Sequence, residues 1–87
     1  MKILILGYSD LAKRKILPAI KKIKNLRFDI ASVSKKKQDI GQDNWYNNYD
    51  YSINNTDAKI VYISLVNSKH YEYALKSLKK NKNLIID

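Results

Sequence analysis

The chain of 87 residues contains no cysteine, one histidine, one proline and two glycines. Without cysteine there can be neither a disulfide framework nor a thiolate metal site, and the lone His70 excludes a histidine-rich metal centre built by one chain. No apolar run approaches the roughly 18 residues that a membrane span requires. Met1 leads straight into Lys2-Ile3-Leu4-Ile5-Leu6-Gly7, too short and too strand-like for a secretory signal, so a cytoplasmic location is expected. Negative charge is scarce as well: eight acidic against seventeen basic residues leave a formal charge of +9. That surplus suits anionic partners. Fifteen of the seventeen are lysines, however, accompanied by abundant isoleucine, asparagine and tyrosine, which points to a solvated surface more than to a nucleic-acid face.

A chain of this length buries only roughly 60 to 65% of its unfolded surface, so one domain with a thin core is expected. Ile3 to Leu6 is a continuous apolar run closed by Gly7, as suits a strand buried on both faces of a parallel sheet. From Asp10 the period changes. Ala12, Ile16, Ala19, Ile20 and Ile23 predict one face of an amphipathic helix, with lysines elsewhere and a kink or break near Leu17 imposed by Pro18. Phe28 to Val33 predicts a second strand ending near Ser34, followed by a solvated loop at Lys35-Lys36-Lys37. Residues 38 to 55 lack a clear period; a helical turn at Asn44 to Asn47 and a short strand near Tyr49 to Ser52 are expected. Ile60 to Val66 is β-branched and aromatic, hence a strand. Tyr71, Ala74, Leu75 and Leu78 then predict the apolar face of a second helix, capped by Asn67 or Ser68 and ended by Asn81 in a left-handed conformation. Leu84 to Ile86 begins a last strand. This alternation calls for right-handed crossovers in a doubly wound parallel α/β sheet.

Gly7-Tyr8-Ser9-Asp10-Leu11-Ala12 joins the first strand to the first helix, where a G-x-G-x-x-G/A dinucleotide fingerprint belongs. Gly7 supplies the tight turn and Ala12 the small residue at the helix–strand contact. Ser9 stands in place of the middle glycine; its hydroxyl can reach a phosphate oxygen, and the helix N-terminus offers N–H groups and positive dipole. Taken alone, the pattern is equally a plain strand-to-helix turn.

The wider sequence adds to it. Gly7-x-Ser9-Asp10-Leu11-Ala12-x-Arg14-x-x-Leu17-Pro18-Ala19 resembles the opening of a subset of Gfo/Idh/MocA oxidoreductases that includes nucleotide-sugar ketoreductases. Val61 to Ser68 with His70, Tyr71, Ala74 and Leu75 resembles the family's V-Y-I-[AS]-[TL]-P-N-x-x-H-x-x-x-A stretch, and Asn83 to Asp87 resembles the segment before its Lys-Pro. Val66 stands where the family has proline, and Asp87 where it has glutamate. The resemblance implies a Rossmann-like fold truncated before a C-terminal α/β domain. It places Gly7, Ser9, Asp10 and Leu11 at a pyrophosphate, Ser34 and Lys35 at the adenosine ribose, and Leu65, Asn67 and His70 on the nicotinamide-ribose side. His70 is equally served by bonding a backbone group at the helix start.

The cofactor so implied is NADP or NAD. NADP is favoured, because no acidic residue ends the second strand and Ser34-Lys35 resembles the Ser-Arg pair that receives a 2′-phosphate. The family's catalytic lysine and histidine lie beyond these residues, so the expectation is cofactor binding without turnover, with a sugar or nucleotide-sugar substrate met only in a full-length context. Self-association is expected from the uncovered last strand. A non-enzymatic nucleotide-binding or interaction module is the alternative, and a basic nucleic-acid binder a more distant one. Trp45, Tyr46, Tyr49, Tyr51 and Tyr62 are read as core and loop packing. Asp43, Asp50 and Asp57 lack the spacing of a metal loop.

Overall fold

The computed structural model describes residues 1–86; the reading of Asp87 lies outside them. Five parallel strands form one sheet in the order β3-β2-β1-β4-β5. They are β1 Lys2–Leu6, β2 Arg27–Ala31, β3 Trp45–Tyr46, β4 Ile60–Ile63 and β5 Asn83–Ile86. The central strand β1 is buried throughout, as its unbroken apolar run predicts. Alternation sends Ile3 and Ile5 to one face, with Phe28, Ile30, Leu17 and Ile20. Leu4 and Leu6 go to the other, with Val61, Ile63, Ile53 and Tyr73. Chain order runs outward from β1 to β3, then jumps back across β1 to β4, so the helices fall on opposite faces and the sheet is doubly wound.

The first helix departs from its sequence pattern. Ala12–Ile16 is a π-helical turn that continues as α1, Leu17–Lys21, with Pro18 at the start of the α-helical part. Proline has no N–H and its ring crowds the carbonyl four residues back, so a widened turn ahead of it resolves the clash and places the expected break at Leu17. The extra residue in that turn rephases the buried face. Leu17 donates to the Ala12 carbonyl and is buried with Ala12 and Ile20, while Ala19 and Ile23 point to solvent.

Residues 44 to 55 reverse the expected order. Trp45–Tyr46 is the strand, and Tyr49–Asn55 is the helix α2. The two-residue β3 exists through its neighbour: Ile30 and Ser32 donate to the carbonyls of Asn44 and Tyr46 at 2.9 Å each. α2 begins where the Asn48 side chain accepts from the Tyr51 N–H at 2.8 Å, with Asp50 in the first turn.

The last helix, α3 Asn67–Lys79, includes Asn67 and Ser68 rather than being capped by either, and starts behind Val66 with no side-chain cap. Its core-facing residues are Tyr73 and Ser77, while Tyr71, Leu75 and Leu78 are exposed. The small Ser77, its hydroxyl returned to the Tyr73 carbonyl at 2.8 Å, permits close approach to the sheet. Tyr73 meets Tyr49 of α2 edge-on at 5.3 Å. Lys76, pushed well above the ordinary lysine range by hydrogen bonds to Asp50 and Glu72, joins α3 to α2. Asn81 adopts the left-handed conformation, φ 59°, that ends the helix as predicted.

At the N-terminal end of the sheet, Lys2 and the fully buried Asp29 anchor a polar cluster. The Lys2 ammonium lies 3.5 Å from Asp29, 3.1 Å from Asp43 and 2.7 Å from Asp57. Asp29 also accepts from Thr56 at 2.6 Å and Asn44 at 3.1 Å, so its charge is satisfied from three elements. Burial works against the Lys2 ammonium, but hydrogen bonds to Asp57 and Asp43 outweigh it and hold its pKa above 10.5. The same contacts hold Asp43 and Asp57 below 3.8. Burial likewise raises Tyr46 and Tyr73.

The signs give a pH profile. A raised lysine or tyrosine stabilises the fold fully below its unfolded value, and that share is lost as pH rises through the folded one. A depressed aspartate stabilises above its unfolded value, and that share is lost as pH falls through the folded one. Urea melts are expected to give a plateau from about pH 5 to 9, declining below about pH 4 and above about pH 10. A profile that is flat at both ends would remove the Lys2 cluster from the account.

Candidate dinucleotide cleft

The C-terminal ends of β1, β2 and β4 meet at Gly7. Its N–H donates to Ala31 at 2.8 Å, and Ser64 donates to Leu6 at 2.8 Å. Gly7 has φ +96°, and a Cβ there would stand 2.3 Å from the Ser64 carbonyl oxygen and 2.8 Å from Leu65 Cδ2. Only a residue without a side chain fits this junction.

Beyond it Tyr8 folds under the first helix, buried, its ring edge-on to Trp45 at 5.5 Å. Ser9 caps that helix: its Oγ accepts from the Ala12 N–H at 3.1 Å, and its carbonyl from Lys13 at 2.9 Å. The same Oγ lies 2.5 Å from Ser64 Oγ. A hydroxyl has one proton and two acceptor positions. If Ser64 donates, both acceptor positions of Ser9 are filled and its proton is free for a ligand in the cleft. Asp10 pairs its carboxylate with Arg14 at 3.7 Å. Ala12 is fully buried at the helix–strand contact.

β2 ends at Ala31, three residues before Ser34. Ser32 accepts from the Lys35 N–H at 3.2 Å and curls the chain into a turn that lifts Val33 into solvent. β4 ends at Ile63 rather than Val66, because residues 64 to 66 leave the sheet to pass over Gly7. His70 fixes that loop: its Nε2 donates to the Leu65 carbonyl at 2.6 Å, the backbone role open to it from sequence.

These segments enclose a cleft of about 530 Å³. Gly7, Ser9, Asp10, Leu11, Ser34, Lys35 and Leu65, expected from sequence on separate segments, line it together. Asn67 and His70 do not. Asn67 opens α3, and His70 holds the Leu65 carbonyl. Sequence reasoning missed Tyr8, Tyr49, Ser64 and Val66, which also line it. Tyr8 and Ser64 lay inside quoted motifs, whereas Tyr49 had no signal while its segment read as a strand. The cleft sits where the strand order reverses beside β1, the place at which open parallel α/β sheets take ligands. Among the described residues, no helix is long and apolar enough to cross a membrane.

No protein-family model matches the chain, and no curated protein matches it by sequence. Solved structures do. A scyllo-inositol dehydrogenase from Lactobacillus casei, with bound NAD(H) and scyllo-inositol, superposes with a TM-score of 0.87 at 21% identity. A 3-ketoreductase from Actinomadura kijaniata, in complex with NADP and TDP-benzene, superposes with 0.85 at 22%. Each match covers 99% of this chain, which spans 27% and 28% of those chains. At these identities the likeness establishes the fold: the chain has a Rossmann-like fold in common with part of these oxidoreductases.

Proposed function

We propose that residues 1–87 are the dinucleotide-binding domain of a sugar or nucleotide-sugar oxidoreductase, with NADP(H) bound in preference to NAD(H). The observation that carries this reading is the gathering of seven expected residues, from three separate segments, in one cleft at the sheet's switch point. The pyrophosphate would lie against Gly7 and the backbone of Ser9 to Leu11, where the helix N-terminus supplies N–H groups and positive potential. Ser34 and Lys35 would take the adenosine ribose and its 2′-phosphate. Leu65 would face the nicotinamide side, with Asn67 beside it and His70 holding the loop. The bound dinucleotide supplies the hydride chemistry; this chain's share is orientation and exclusion of water. Sugar substrate and proton transfer belong to a full-length cytoplasmic enzyme.

Self-association belongs to the same proposal. Ile85 and Ile86 on the edge strand β5 are each 45% exposed, and Tyr71, Leu75 and Leu78 form an outward apolar stripe on α3. Unpaired edges and exposed apolar stripes favour pairing.

Calorimetric titration at fixed ionic strength tests the cofactor reading. A charge-assisted hydrogen bond contributes roughly 1.5 to 3 kcal/mol, and an exposed lysine without arginine's fork falls at the lower end. NADP(H) is therefore expected to bind about tenfold more tightly than NAD(H), with the order reversed in Lys35→Glu. Equal affinities, or an unchanged order in the variant, would defeat the preference for NADP(H); absence of binding to either would defeat the function.

A further inference from the structure

The loop after β2 and the segment from β3 into α2 enclose a second cleft, of about 540 Å³, whose lining includes Lys35, Lys36, Lys37, Trp45, Tyr46 and Tyr51 beside Asn47. Only Lys35 is shared with the first cleft. The aromatic residues divide by role. Tyr62 is core and Tyr49 packs on Tyr73, whereas Tyr51 is 58% exposed and leans on Tyr46 with ring centres 5.9 Å apart. No acidic side chain among the described residues lines this second cleft. Cations and aromatic surfaces lining one cleft are what a polyanion with flat bases requires. An acidic peptide would use the lysines and leave the rings idle, and a duplex keeps its bases stacked away from them.

We propose that this cleft binds single-stranded nucleic acid, the three lysines meeting phosphates and the exposed ring of Tyr51 meeting a base, beside the half-buried Trp45. The net charge of +9 favours the encounter. Base–aromatic stacking tolerates any sequence, so the site is one of low sequence preference. This goes beyond the cofactor reading, because Lys36, Lys37, Trp45, Tyr46 and Tyr51 do not line the cofactor cleft.

Trp45, the only tryptophan, reports on the site by its own fluorescence. Titrating the 87-residue chain with oligothymidine of about twelve nucleotides is expected to quench it. The logarithm of affinity should fall against the logarithm of salt concentration with a slope near −2, three lysines at about −0.7 each. Lys36→Glu with Lys37→Glu is expected to weaken binding at least roughly tenfold, and Tyr51→Ala by about tenfold, with circular dichroism unchanged in both. The proposal is overturned by absence of binding at low salt, by duplex or polyglutamate binding as tightly as the single strand, or by unchanged affinity in both variants.

Discussion

Gly7→Ala is expected to lower the unfolding free energy by about 2 to 5 kcal/mol and to abolish dinucleotide binding. Two costs add: roughly 1 to 2 kcal/mol for an L-residue at positive φ, and roughly 1 to 3 kcal/mol for overpacking. The second follows from a Cβ 2.3 Å from the Ser64 carbonyl oxygen, a backbone atom tied into the sheet by the neighbouring Ser64 N–H. Gly41 separates the two costs. It has φ +97° but only the flexible Lys21 Cε within reach, at 3.8 Å, so Gly41→Ala should show the backbone cost alone, about 1 to 2 kcal/mol. A chain of this size has roughly 4 to 13 kcal/mol of stability in all, so the Gly7 variant loses a large share of it. Equal losses for the two variants in denaturant melts would show that the packing at Gly7 is not as tight as described.

Lys2→Met is expected to cost about 3 kcal/mol, the lower end of the range for removing one partner of a buried ion pair. Asp43 and Asp57 are partly exposed and recover water; Asp29 cannot. It keeps the Thr56 and Asn44 hydrogen bonds, which is why the lower end applies. Adding Asp29→Asn to Lys2→Met removes the stranded charge and should restore about half the loss or more. A double variant no more stable than Lys2→Met alone would show that the lost lysine contacts, rather than a stranded aspartate, set the cost.

The contrast between β1 and β3 explains which parts of the fold were legible. β1 and β4 are apolar runs whose partners lie on both sides, so their own composition declares them. β3 is two residues long and is made by hydrogen bonds to β2 that no local pattern encodes. The α2 helix did carry a local sign, Asn48 three residues before Tyr51, but the aromatic run around it reads as strand. On α3 the expected stripe kept Ala74 against the core but lost Tyr71, Leu75 and Leu78 to Tyr73 and Ser77, because a small residue sets the distance to the sheet while a hydrophobicity pattern ranks Leu75 and Leu78 above it. On the first helix, the π-helical turn moved burial from Ala19 and Ile23 to Leu17.

The candidate site was more legible than the segment between β2 and β4, since its residues fall at strand ends and helix starts, which a parallel sheet brings together regardless of intervening detail. Ser9 looked available to a phosphate, yet its oxygen also caps a helix and bonds Ser64. His70 looked like a cleft residue, yet it does not line the cleft and braces the Leu65 carbonyl instead. Both roles depend on where β4 ends, which the sequence alone placed three residues too late.

The most direct measurement is to follow backbone amide shifts of the labelled chain by NMR while NADP is added. The account predicts saturating changes that share one affinity at Gly7, Ser9, Asp10, Leu11, Ser34, Lys35 and Leu65, the residues lining the cleft beside β1 and β4. Changes confined to Lys36, Lys37 and residues 45 to 51, or none at any concentration, would contradict it.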